Sequence, residues 1–231
     1  VAWVHDDSRS IRPNIRVGLR ARIWSEWYAD GVAANAAAGT ESSGADKPSW
    51  SFGTVGFDAR RYVPLVGPSI LALRVAGDWS VGQKRLLHML GGTDNSLAIG
   101  NNANTPVDPS LEFAYQTRIT PLRGFTTNVR NGSHVAVANA ELRLPVFFNS
   151  AGKSDFLNNL QCVGFADVGA AWSGLHPYTE DNFFNYVSGE LGPTTVTIDS
   201  NREPVLYDYG FGLRSRVLGY WVAADWAYGV D

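Results

Sequence analysis

Ile70-Leu71-Ala72-Leu73-Arg74-Val75-Ala76-Gly77-Asp78-Trp79 is the stretch that decides the fold. Successive side chains of an extended strand point to opposite faces, so Leu71, Leu73, Val75 and Trp79 fall on one side and Ala72, Arg74, Ala76 and Asp78 on the other. This two-faced segment is longer than the roughly five or six residues usual for strands of soluble domains. A soluble sheet would place the charged face in water and the apolar face in a core, whereas the longer Asn14 to Glu26 segment is long enough to cross a bilayer at a tilt.

The same split recurs on both sides of it. Asn14 to Glu26 sets Ile15, Val17, Leu19, Ala21 and Ile23 against Arg16, Arg20, Arg22 and Glu26. Ser133 to Val146 sets Ala136, Ala138, Ala140, Leu142 and Leu144 against Asn139, Glu141 and Arg143. Leu160 to Trp172 sets Cys162, Ala166, Val168, Ala170 and Trp172 against Gln161, Phe165 and Asp167. Val205 to Arg216 sets Tyr207, Tyr209, Phe211 and Leu213 against Asp208, Arg214 and Arg216, and Tyr220 to Tyr228 sets Val222, Ala224 and Trp226 against Ala223, Asp225 and Ala227. Val1 to Asp7 and Trp50 to Val63 show weaker alternation, the latter with Val55 and Phe57 opposite Asp58 and Arg60. The expectation is an all-β chain of about eight antiparallel strands, read as one domain over residues 1–231.

Composition agrees. Only 18% of the 231 residues are charged, below the roughly 25% of ordinary soluble domains, while 24 Gly, 8 Trp, 9 Tyr and 11 Phe favour strands and turns. A net charge of −3 with scattered basic residues leaves no footprint for nucleic acid. No run approaches the ~18 apolar residues of a transmembrane helix, an absence that leaves a membrane barrel open, since a barrel crosses with strands. Trp24, Trp27, Tyr28, Trp50, Tyr62, Trp79, Trp172, Tyr220 and Tyr228 gather near strand ends, where a barrel carries its interfacial girdles. Connections such as Leu65-Val66-Gly67 and Leu218-Gly219 are short; Asp30 to Pro48, Gln83 to Gly132 and Ser173 to Pro204 are long. Short turns at one end and long loops at the other form the outer-membrane pattern. The Gln83 to Gly132 segment is too long for a structureless connection in a compact domain, so it should have work to do. A soluble β-sandwich is the competing reading of the same alternation.

Leu90-Gly91-Gly92, Leu122-Arg123-Gly124-Phe125, Ala140-Glu141-Leu142-Arg143-Leu144-Pro145, the run from Phe165 to Trp172, and Tyr209-Gly210-Phe211-Gly212-Leu213-Arg214 follow one another in that order. The series resembles the bacterial surface antigen (D15) barrel of the Omp85 superfamily over about residues 85–231. The resemblance implies the second half of a transmembrane antiparallel barrel of about sixteen strands. It further implies that the Arg123-Gly124-Phe125 tip of the long loop folds back into the lumen, with Arg123 meeting Glu141 and Asp167. Both carboxylates lie on the polar faces of their segments, where an arginine fork gives them a bidentate partner. The spacer between Gly92 and Leu122 is longer than the family's short form.

The function implied is outer-membrane protein insertion and assembly, or protein translocation, in a bacterial outer membrane. The family works without a cofactor: its first and last strands pair weakly, the wall opens sideways, and the exposed edge templates an incoming strand. Partners would be outer-membrane lipid, client β-barrel or translocated proteins, and accessory outer-membrane subunits. The alternative is a passive pore, or a barrel that anchors an accessory domain within a larger outer-membrane complex. The resemblance also implies further strands and periplasmic domains, so the sequence is expected to be a piece of a longer chain. The remaining inward charges, Arg16, Arg20, Arg22, Asp58, Arg74, Asp78, Asp208, Arg214 and Asp225, are mixed in sign and read as a salt-bridged, hydrated interior. No acid stands beside a nucleophile at a recognisable spacing, so an enzyme is not expected. His5, His88, His134 and His176 lack metal-ligand spacing, and the single Cys162 reads as a small apolar packing residue.

Overall fold

The computed structural model describes residues 1–29, 50–94, 105–147, 154–191, 194–199 and 202–231. The loop expected over Asp30 to Pro48 lies outside them. The strands in chain order are β1 (Ala2–Asp6), β2 (Arg9–Arg12), β3 (Ile15–Ala29), β4 (Ser51–Pro64), β5 (Ile70–Gly82), β6 (Lys84–Leu90), β7 (Glu112–Ile119), β8 (Arg130–Gly132), β9 (His134–Pro145), β10 (Gln161–Trp172), β11 (Tyr186–Leu191), β12 (Thr194–Asp199), β13 (Val205–Val217) and β14 (Tyr220–Val230). One helical turn, α1 (Asp155–Asn158), is capped by Ser154. The chain is all-β, and its main sheet is antiparallel in the order β1-β3-β4-β5-β9-β10-β13-β14, with β2 also paired to β3.

Six of the seven long strands, β3, β5, β9, β10, β13 and β14, form where alternation is strong in the sequence, β4 forms over the weaker Trp50 to Val63 segment, and β1 and β2 complete the meander. The first strand runs further than Val1 to Asp7: β1 pairs with Arg20 to Trp24, and β2 then pairs with Ile15 to Val17. The register continues unbroken from Asp6–Arg20 to Arg9–Val17 past Gly18, whose φ of +110° suits glycine, and shifts only between Ser10 and Arg12. There the Asp7 N–H donates to the Leu19 carbonyl at 3.0 Å. Short connections at 13–14, 65–69 and 218–219 fall at one end of the sheet, and the connections after β3, β5 and β10 fall at the other. β1 and β14 form the two sides of the sheet, and among the described residues they are not paired to each other.

Register gives the two faces different chemistry. One outer rung reads Ala21-Ala59-Val75-Ala138-Val168-Tyr207-Val230 from β3 to β14. A second reads Leu19-Arg61-Leu73-Ala140-Ala166-Tyr209-Tyr228, with Arg61 its one charge, three residues from the end of β4. Large apolar groups stand exposed on this face, among them Val75 (49%), Tyr209 (54%) and Phe211 (63%). The inner rung between them reads Asp6-Arg20-Arg60-Arg74-Asn139-Asp167-Asp208-Gly229 across all eight strands.

The inner face curves around the β5–β9 connection. In that connection β6 pairs with β7 in parallel and with β8 antiparallel, a three-stranded sheet of its own. Its Leu90 and Leu122, both fully buried, pack on Ala76, Val135, Val137, Ala171 and Leu206 of the wall, with Ile119, Phe125 and Val129 at the margin. The sheet is therefore apolar under Leu90 and Leu122 and charged beyond them. At the short-turn end the β2–β3 turn reaches over to β9 and β10: Asn14 Nδ2 donates to Gln161 Oε1 at 2.9 Å, and Arg143 Nη1 donates to the Asn14 carbonyl at 3.0 Å.

The girdle expectation needs correction at Trp24. This ring lies inside, under the Arg22 guanidinium at 4.9 Å, and its Nε1–H donates to Asp78 Oδ2 at 3.0 Å. Trp24 shares the parity of Arg22 and Glu26, so strand geometry turns it to the polar face whatever its distance from the strand end. Trp172 is likewise only 6% exposed, with the His134 ring edge-on at 5.9 Å.

Candidate functional site

The segment 120–125 lies across the inner face, and each residue type there has a physical reason. A neck ties it: Gly92 N–H is within 3.1 Å of both the Leu122 and Phe125 carbonyls, and Leu122 N–H donates back to Gly92 at 3.0 Å. Fully buried Leu122 then anchors the apolar side, which turns Arg123 toward the charged part of the wall.

Arg123 sits with its guanidinium carbon 4.0 Å above the Phe165 ring. Its Nη2 donates to Glu141 Oε1, and its Nε lies 3.3 Å from Asp167 Oδ2. The three side chains are almost sealed from solvent, at 5%, 9% and 0% exposure. This arrangement follows from register: Phe165 is the cross-strand partner of Glu141, and Asp167 is two residues further along β10 on the same face, so one planar cation covers the ring and reaches both acids. Gly124 N–H donates to Asp208 Oδ2 at 2.9 Å, and Phe125 packs beside Gly229.

Several partners went unnoticed in the sequence. Glu141 also receives Arg143 Nε at 2.8 Å and Arg214 Nη2 at 2.8 Å, so one carboxylate serves three arginines. Asn139 Nδ2 donates to Asp167 Oδ1 and to the Pro121 carbonyl, both at 2.9 Å, and Arg74 Nη1 donates to the Thr120 carbonyl. Arg74 and Arg60 share Asp58. The signal for these partners was the same inward parity; missing was the register that sets which inward residues meet. A cavity of about 160 Å³ adjoins Arg123, lined by Arg60, Arg74, Asn139, Glu141 and Arg143 among others.

Each acid of the site is engaged by a cation or an amide: Glu141 and Asp167 by Arg123, Asp167 also by the Asn139 side chain, and Asp208 by the Gly124 N–H. The dispersed histidines stay apart from it. His88 on β6 is 1% exposed with Nε2 3.5 Å from Asp78 Oδ1; burial, with the field of His134, pushes its imidazole down to about 4 and keeps it neutral. Among the described residues no three His, Cys, Asp or Glu side chains gather as metal ligands. Cys162, a free thiol, is half-buried. Among the described residues no helix is long and apolar enough to cross a membrane. The chain matches no protein-family model and no curated protein.

Proposed function

We propose that the chain forms part of the wall of a transmembrane β-barrel of the Omp85 type in a bacterial outer membrane. Its work is the insertion and assembly of outer-membrane proteins or the translocation of proteins. In this reading the apolar outer rungs face lipid and the charged inner rung faces a hydrated lumen. The 120–125 segment is a loop-lock, in which Arg123, Gly124 and Phe125 are held by Glu141 and Asp167.

The observation that supports it best is the lodged tip. Arg123 is buried against an aromatic ring and two carboxylates of adjacent strands, in a loop whose flanking residues follow the motif order of that family. A soluble sandwich gives no reason to send a charged loop across its own core. The partners are lipid on the outer face, a client chain, and accessory outer-membrane subunits; the chemistry needs backbone pairing and no cofactor.

Two measurements test the reading. The protein should require detergent or lipid to remain monodisperse, and a detergent-free soluble monomer refutes the membrane assignment. Reconstituted vesicles carrying the protein should accelerate folding of a denatured outer-membrane barrel over empty vesicles. Ion conductance without any acceleration assigns a passive pore instead.

A further inference from the structure

Gly124 approaches two strands beyond the pair that holds Arg123. Its N–H donates to Asp208 Oδ2 on β13 at 2.9 Å, and Asp208 is only 1% exposed. A Cβ added at Gly124 would lie 2.6 Å from the Gly229 nitrogen on β14, and one added at Gly229 would lie 2.7 Å from the Gly124 carbonyl oxygen and 2.8 Å from the Phe125 ring. The contact is backbone against backbone, with space for no side chain on either side. Asp208 is also the direct cross-strand partner of Asp167, which sets two buried carboxylates side by side, an arrangement unfavourable in itself. A buried acid in such a position needs a compensating donor, and the tip amide supplies one.

The geometry points to Asp208 as a positioning residue for the loop tip, and to the Gly124–Gly229 approach as the feature that brings β14 into the same grip. The inference rests on the loop-lock reading and extends it. The tip is held by four consecutive strands: Glu141 on β9, Asp167 on β10, Asp208 on β13 and Gly229 on β14. Arg123 fixes the side chain, whereas Asp208 and Gly229 fix the backbone that carries it. Displacing β14 from β13 therefore loosens the tip even with every partner of Arg123 intact, so the loop registers the state of a strand at the side of the sheet.

The test is thiol labelling of the protein in lipid vesicles. Cys162→Ser removes the native thiol, and Thr127→Cys, at a position 8% exposed just past the tip, reports loop release. A membrane-impermeant maleimide should label this parent slowly. Asp208→Leu should raise the rate about tenfold or more, as expected when the buried Gly124 N–H loses its acceptor, while Asp208→Asn, which keeps an acceptor oxygen, should stay within about twofold of the parent. Gly229→Val should raise the rate without altering any charge, and it serves as the second probe if Asp208→Leu fails to assemble. Fast labelling of Arg123→Ala with slow labelling of both Asp208→Leu and Gly229→Val overturns the inference and leaves the loop-lock standing. Fast labelling of Asp208→Asn overturns the acceptor role. Slow labelling of Arg123→Ala overturns the loop-lock itself.

Discussion

Arg123 meets its surroundings in three ways, and each distinguishes arginine from lysine. The fork serves two acids on different strands, and the flat guanidinium lies on Phe165. Arg123→Ala should lower stability by about 3–5 kcal/mol, because two nearly sealed carboxylates lose their shared cation, and Arg123→Lys should restore only part of it. Urea unfolding in detergent micelles measures both. Glu141→Gln should be more damaging than Asp167→Asn, since Glu141 balances Arg123, Arg143 and Arg214 while Asp167 keeps the Asn139 amide. At this scale the sequence was half legible. Parity placed Glu141 and Asp167 on inward faces, but Asp167 is registered opposite Asn139 on one side and Asp208 on the other. Pairing register is set by turns and bulges across the whole meander, and no local period encodes it.

Trp24 shows how neighbouring strands are fastened within the sheet. The ring on β3 lies over Gly56 of β4, where an added Cβ would come 2.3 Å from a ring carbon, and its N–H reaches Asp78 on β5. Gly56→Leu should therefore force the ring aside, break the Asp78 bond and cost about 1–3 kcal/mol, read as a shifted unfolding midpoint and a changed tryptophan emission. Elements with one buried face were the legible ones: β3, β5, β9, β10, β13 and β14 alternate plainly. The segment Lys84–Leu90 does not, because Leu87, His88 and Leu90 are all buried as the strand runs between the wall and its own small sheet. A strand covered on both faces carries no period-two signal. β2 is hidden for another reason: it is only four residues long, and the register shift between Ser10 and Arg12 breaks its alternation.

Across the whole molecule the outer rungs carry a single charge, Arg61, over seven strands, while the inner rung passes from Arg20, Arg60 and Arg74 through Asn139 to Asp167 and Asp208. Val75 stands near the middle of β5 with Ala59 and Ala138 as neighbours, so Val75→Arg should cost about 2–4 kcal/mol in a lipid bilayer, measured by reversible unfolding from vesicles. An undiminished stability there argues that this face meets water. The neck between Gly92 and Leu122 bears on a different property, the tolerance of the chain to being severed. The backbone departs and returns through a knot of hydrogen bonds at Gly92, Leu122 and Phe125, braced by the β6–β7 ladder, so the described residues from Thr105 to Ile119 form a side branch off the main line. A protease site grafted beside Val107, which is 40% exposed, can be cut while both new ends remain tied to the rest of the protein. The cleaved molecule should still migrate as one species under native conditions and keep a cysteine at Thr127 hidden, because continuity of the branch is no part of what holds the tip.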